Sequence, residues 1–153
     1  MNKTKIITIL LVLFSFIELK AQEATVKKGF LIIQSTKDYS AALRTAKLAS
    51  QKLNIDMNLR GYYHDKTEGL KTDSICGCGE DHGYIARGRY DDGEYISIEY
   101  SDNYTGFAEG YYIVVAASNR RNNRQLSKTL KKAKRYYKDA YVKNASVYIG
   151  CMH

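Results

Sequence analysis

The stretch GFLIIQSTKDYSAALRTAKLASQKL, residues 29–53, decides the fold because its hydrophobic period changes partway along. Its first part is a short apolar run rich in β-branched residues, which is typical of a buried strand. Residues 35–38 then offer side chains that cap helices. The apolar residues beyond them recur at helical spacing and are Tyr39, Ala42, Ala46, Ala49 and Leu53. The stretch therefore predicts a strand followed by a helix.

The segment after this helix predicts a second strand. Ile55, Met57 and Leu59 alternate with polar residues, as in a strand with one buried face. We therefore interpret the first unit as β-α-β.

A similar unit returns near the end of the chain. Residues 110–118 form another apolar run that begins with glycine, as residues 29–35 do. A helical pattern with the same 4-3-4 spacing follows at Leu126, Leu130, Ala133 and Tyr137, and residues 141–149 alternate like a strand. Two such units on one sheet predict an α+β fold, a β-α-β-β-α-β sandwich of ferredoxin-like topology.

The two units resemble a known family. The sequences IIQSTKDYSAALRTAKL (residues 32–48) and YIVVAASN (residues 112–119) look like the sporulation-related repeat, or SPOR, domain. The resemblance covers residues 29–59 and 110–149, and residues 64–109 form an insertion between the halves. It implies a SPOR-like fold and a periplasmic module that binds peptidoglycan glycan strands stripped of their peptides.

The N-terminus predicts export from the cytoplasm. Lys3 and Lys5 precede an apolar run that is too short to span a bilayer, and Ala21 offers a small residue for cleavage. Residues 1–21 are therefore predicted to be a signal peptide, and residues 22–153 a single periplasmic or secreted domain without a transmembrane segment. Cleavage removes three basic residues and one acidic residue, which changes the formal net charge from +8 to +6.

Charge divides the mature chain into an acidic middle and a basic end. Acidic residues dominate residues 64–109, whereas Asp139 is the one acid from Asn119 onward. Such a basic run is either a solvated helix face or a docking surface for an anionic polymer or an acidic protein partner. No nucleic-acid partner is expected. The docking residues would be Arg124, Lys128, Lys131, Lys132 and Arg135.

The insertion contains a predicted β-hairpin. A three-residue loop at residues 91–93, with Gly93 at positive φ, would pair Gly88 with Ile96 and Ala86 with Ile98 and keep arginines off the apolar face. The other face would then carry a polar group that suits sugars or carboxylates. Its members are Arg87, Arg89, Tyr95, Ser97 and Glu99. The alternative is a solvated face with an Arg87–Glu99 ion pair.

The stretch SICGCGEDHG, residues 74–83, and the C-terminus together hold every cysteine of the chain. In an oxidising compartment we expect a disulfide from Cys151 to Cys76 or Cys78. Reduced cysteines are one alternative. A zinc or copper site is another, built from Cys76, Cys78, His82, Cys151 and His153.

Catalytic motifs are missing from the sequence. It contains no G-x-S-x-G, no glycine-rich phosphate loop before a helix and no H-E-x-x-H. We therefore expect a binding module for a cell-envelope polymer and not an enzyme, with no cofactor unless the cysteines hold zinc or copper. The alternatives are a metal-binding or redox protein, and an interaction domain whose basic helix docks an acidic partner.

Overall fold

The computed structural model describes residues 25–73, 84–88, 91–120 and 124–148. They form an α+β fold with a four-stranded antiparallel sheet, two helices and a small hairpin, which confirms the predicted class. The elements are β1 (Thr25–Thr36), α1 (Tyr39–Leu53), β2 (Tyr63–Asp65), β3 (Gly69–Lys71), β4 (Gly93–Tyr100), β5 (Tyr112–Arg120), α2 (Arg124–Ala133) and β6 (Tyr141–Tyr148).

The large sheet has the strand order β4-β5-β1-β6, and every neighbouring pair is antiparallel. Its central strand β1 is buried on both faces, which explains the unbroken apolar run in its sequence. Leu31 and Ile33 belong to the core beneath the helices, whereas Phe30 and Ile32 belong to a second core on the opposite face.

Helix α1 forms as its sequence predicts. The Asp38 side chain caps its N-terminus by accepting a hydrogen bond of 2.8 Å from the Ser40 N–H, and Asn54 ends it in the left-handed conformation. The predicted apolar residues of α1 from Ala42 onward are all buried.

Helix α2 buries Leu126, Thr129 and Ala133 against the same face of the sheet. It approaches the sheet closely at Gly29, where an added Cβ would lie 3.0 Å from Leu126 Cδ1. Both helices thus cover one face of the sheet.

The predicted second strand, residues 55–59, is not a strand of the sheet. Met57 makes one isolated parallel bridge to Ile96, with hydrogen bonds from Ile96 N–H to Asp56 O (2.7 Å) and from Asn58 N–H to Ile96 O (2.8 Å). Arg60 and Gly61 then take positive φ and turn the chain away. The segment therefore only borders the outer edge of β4, and β4 occupies the place beside β5.

The predicted insertion hairpin is also wrong. Residues 93–100 form β4, and Gly93 has the expected positive φ of 133°. Its expected partner, residues 84–88, is not a strand, because β5 and Met57 already take both edges of β4. The predicted pairs Gly88–Ile96 and Ala86–Ile98 therefore do not form.

Residues 84–88, which we call the strap, instead cross the sheet face opposite the helices. Ala86 of the strap and Tyr104 of the loop after β4 pack with strand residues in the second core. The strand residues of this core are Phe30, Ile32, Ile113, Val115, Ala145 and Val147. Both faces of the sheet are therefore covered at its centre.

The β2–β3 hairpin packs on two tyrosines of the large sheet. The Tyr112 hydroxyl donates to Gly69 O at 3.2 Å, and the Tyr100 ring lies against the Gly69 Cα. Within the residues that the structure describes, no helix has the length and apolar composition needed to cross a membrane.

Gly69→Ala tests this packing. Gly69 has φ +78°, and an added Cβ would lie 2.6 Å from the Tyr100 ring, which is itself packed against Tyr112. We expect urea denaturation to show a loss of about 2 kcal/mol or more in unfolding free energy.

The matched control is Gly110→Ala, at φ +79° with no other atom within 4 Å of the added Cβ. It bears only the backbone strain, which is about 1 kcal/mol. Equal losses in the two variants would show that the clash with the Tyr100 ring adds nothing to the loss in unfolding free energy.

Candidate functional site

Four exposed basic side chains form a line on α2. Arg124, Lys128 and Lys131 follow one another at helical spacing, and Arg135 continues the line two residues beyond the last residue of the helix. We call these four residues the basic stripe. Leu126 and Ala133 lie on the buried side of the same helix, so the sequence spacing alone separates an apolar face from a charged one.

The described part of the chain places no acidic partner in contact with the basic stripe. Among residues 25–73, 84–88, 91–120 and 124–148, no acidic side chain lies within 4.0 Å of a stripe nitrogen. Lys132, the fifth predicted docking residue, is different because its ammonium donates a hydrogen bond to Leu53 O at the end of α1. That contact ties the two helices together, so Lys132 is not part of the exposed stripe.

A groove of about 1140 Å³ runs along the stripe, and we call it the α2 groove. Glu94, at the start of β4, is the one acid among its described lining residues. Its Oε2 lies 2.5 Å from the hydroxyl of Thr129, which is 3 % exposed. The full lining is Glu94, Arg124, Gln125, Lys128, Thr129, Lys131, Lys132 and Arg135.

The described members of the predicted polar group, Arg87, Tyr95, Ser97 and Glu99, lie near one another, but largely inside the protein. The Arg87 guanidinium donates to main-chain carbonyls of Tyr95 (2.9 Å) and Gly93 (2.8 Å) and to the Ser97 hydroxyl (2.9 Å). The guanidinium carbon, Cζ, also lies 3.5 Å from the centre of the Tyr95 ring. Arg87, Ser97 and Glu99 are each 0 % exposed, so the expected open hairpin face does not exist.

The expected Arg87–Glu99 side-chain ion pair is likewise replaced by another. Glu99 Oε2 accepts from the Arg60 guanidinium at 2.7 Å, while Arg87 contributes only its main-chain N–H at 3.3 Å. Although burial lowers the pKa of Arg60, the Glu99 charge raises it above its usual value. The Arg87 side chain points to the strand carbonyls instead, and β4 thereby holds the strap.

The hydroxyls of a half-buried and a buried tyrosine complete the cluster around Glu99. The hydroxyls of Tyr84 and Tyr104 both donate to Glu99 Oε2, and Tyr104 accepts from Arg87 N–H at 2.7 Å. Four donors thus converge on one carboxylate oxygen. These hydrogen bonds hold the strap, and the loop that follows β4, against β4. This cluster has the character of an internal fastening and not of an open ligand site.

Sequence analysis did not identify two residues that shape the groove and the buried cluster, Glu94 and Arg60. Glu94 lies on the helix side of β4, as Ile96 and Ile98 do. The alternation of side chains along the strand therefore indicated a position near α2. Arg60 gave no such signal, because it follows an isolated bridge and pairs with a residue far along the chain.

Other predicted site residues lie outside the described residues. These are Arg89 and all members of the cysteine–histidine group, namely Cys76, Cys78, His82, Cys151 and His153. The disulfide, zinc and copper hypotheses therefore remain predictions from the sequence.

Comparisons with protein-family models, curated proteins and solved structures find no match to this chain.

Glu99→Gln tests the internal fastening. Removing the charge leaves Arg60 buried beside a neutral amide, so we expect a loss of about 3–5 kcal/mol in unfolding free energy by urea denaturation at neutral pH. The control is Glu68→Gln, which removes a carboxylate that is 53 % exposed in its pair with Lys71 and should cost little. Losses of the same size in both variants would contradict a stabilising role for the buried pair.

The buried tyrosines predict alkaline instability. Burial, and then the Glu99 charge, raise the pKa of Tyr84 and Tyr104 well above 10.0, the value that applies in the unfolded chain. Their stabilising contribution is therefore complete below pH 10.0 and is lost as the pH rises from that value to the raised pKa of the folded state. Unfolding free energy measured from about pH 8 to about pH 11 should fall steeply at the upper end.

Tyr84→Phe should flatten this fall, because it removes one of the two ionising groups from the cluster. Tyr148→Phe, at a side chain that is 58 % exposed, should leave the profile unchanged. A wild-type profile that is flat across this range would overturn the assignment.

Proposed function

We propose that this chain is a periplasmic or secreted binding module whose α2 groove docks an anionic polymer of the cell envelope. The ligand we assign is peptidoglycan glycan that has lost its peptides. The signal peptide predicted at residues 1–21 and the SPOR resemblance of the sequence support the compartment and the ligand class.

One observation carries the proposal, and it is the exposed basic stripe. Side chains at Arg124, Lys128 and Lys131 span roughly 10 Å along the helix axis, and Arg135 extends the line. An extended row of positive charge matches a linear polyanion better than a compact anion, which would contact one or two of these residues.

The chemistry of the proposed ligand fits this row. Muramic acid carries a free lactyl carboxylate once its peptide is gone, so negative groups recur along an otherwise neutral sugar chain. Lysine and arginine side chains bind carboxylates by charge-assisted hydrogen bonds. Because the stripe is solvent-exposed, this attraction should weaken as the salt concentration rises.

The fold supports the same family of modules. Along the chain, β1, β4, β5 and β6 alternate with the two helices as in a β-α-β-β-α-β unit, and the order β4-β5-β1-β6 is that of ferredoxin-like topology. We propose that the chain is a SPOR-like variant of this topology in which β4, at the end of the insertion, supplies the second strand.

The covered sheet face decides where the polymer would dock. The strap and Tyr104 occupy the centre of the face opposite the helices, and Arg87 and Glu99 beneath them are fully buried. We therefore assign the polymer to the exposed surface of α2 and not to the sheet.

Co-sedimentation with purified, peptide-free glycan tests the proposal. The triple variant Arg124→Glu, Lys128→Glu and Lys131→Glu should lose at least about tenfold in retention at low salt, and its salt dependence should flatten. The matched control is Lys27→Glu, Lys47→Glu and Lys66→Glu, which changes net charge equally at exposed positions outside the lining of the α2 groove.

The outcomes separate the alternatives. Wild-type retention in the triple variant, or equal losses in the triple variant and the control, would overturn the α2 groove as the docking surface. Retention of an acidic protein but not of the glycan by the wild type would replace the polymer with a protein partner.

A further inference from the structure

Glu94 is out of place in a groove that binds anions. It is the one acid among the described residues that line the α2 groove, and its side chain is exposed. No described base lies within 4.0 Å of its carboxylate. Its negative charge therefore remains in the groove, where it repels any purely anionic ligand.

A neutral side chain holds Glu94 in this position. Glu94 Oε2 lies 2.5 Å from Thr129 Oγ1, and Thr129 is itself almost fully buried on the sheet side of α2. The same hydroxyl lies 3.0 Å from Gln125 O, so its single hydrogen is shared between two acceptors. The carboxylate is thus oriented against the helix by a rigid neighbour, without being neutralised.

We infer that Glu94 is a specificity-determining residue that accepts hydrogen bonds from sugar hydroxyls of the bound polymer. This inference rests on the proposed function of the α2 groove. A carboxylate accepts strongly from hydroxyl donors, and a glycan offers such donors between its acidic groups. Anionic polymers without hydroxyl groups, such as polyglutamate, lack the hydroxyl donors of a sugar and meet mainly the repulsion.

The groove therefore combines two recognition elements with opposite charge. The basic stripe attracts the carboxylates, and Glu94 reads the neutral sugar between them. Thr129 is a positioning residue, because it fixes the acceptor before the ligand arrives and so lowers the entropy cost of ordering it. Together they would select an anionic glycan over an anionic polymer without hydroxyl groups.

The test uses Glu94→Gln and two probes, peptide-free glycan and polyglutamate. The glutamine keeps an oxygen that can accept from Thr129, so the fold should persist, which thermal unfolding checks. Retention of the glycan should fall about three- to tenfold because the charged acceptor is gone. Retention of polyglutamate should rise about two- to threefold because a repelling charge is gone.

The matched control is Asp56→Asn, which removes an exposed carboxylate beside β4 but outside the groove lining. It should leave the ratio of glycan to polyglutamate retention unchanged. A rise in retention of both probes with Glu94→Gln would overturn the inference, since it would show that Glu94 acts only through its charge.

Variants of Thr129 keep the net charge constant. Thr129→Val should lower glycan retention and leave polyglutamate retention as in the wild type, whereas Thr129→Ser should restore the glycan. An unchanged probe ratio in Thr129→Val would remove Thr129 from the mechanism.

Failure of the inference is distinguishable from failure of the proposed function. If the wild type does not retain the glycan, the proposed function fails and the role of Glu94 fails with it. If the wild type retains the glycan through the basic stripe but Glu94→Gln moves both probes in the same direction, only the role of Glu94 is overturned.

Discussion

A single carboxylate oxygen, Glu99 Oε2, joins β4 to three other segments of the chain. It accepts from Arg60 after α1, from Tyr84 and Arg87 of the strap, and from Tyr104 of the loop after β4. A buried carboxylate is costly unless it is paired and hydrogen-bonded, so these partners must arrive together. The coverage of the second sheet face depends on this convergence.

That coverage is the reason why we propose the exposed surface of α2, and not the centre of the sheet, as the docking surface. The buried arginines work as internal supports, whereas the exposed bases of α2 remain available to solvent. Residues of the same chemical type thus have opposite uses, and burial is what separates them. Arg87 is an example, because its side chain is fully buried and donates to main-chain carbonyls of Tyr95 and Gly93.

The sequence predicted the individual helices and strands better than it predicted which strands pair with each other. Capping by Asp38 and the apolar spacing of α1 are local signals, and so is the parity that separates Ile96 from Ser97 on β4. The choice of β4 over residues 55–59 as partner of β5 is not local, because both segments alternate like strands and only tertiary competition decides between them. The Arg60–Glu99 pair could not be predicted from the sequence either, because its members are 39 residues apart and meet only in the tertiary structure.

Each outer strand of the sheet forms one isolated bridge on its outer edge. These bridges affect whether the edge can pair with a strand of another copy of the chain. Met57 blocks β4 at Ile96, and Thr105 blocks β6 at Ser146. Unpaired strand edges invite pairing between molecules, and lysines and short obstructions discourage it. The rest of the β6 edge contains Lys143. The two bridges therefore leave fewer main-chain groups on each outer edge free to pair with another copy of the chain.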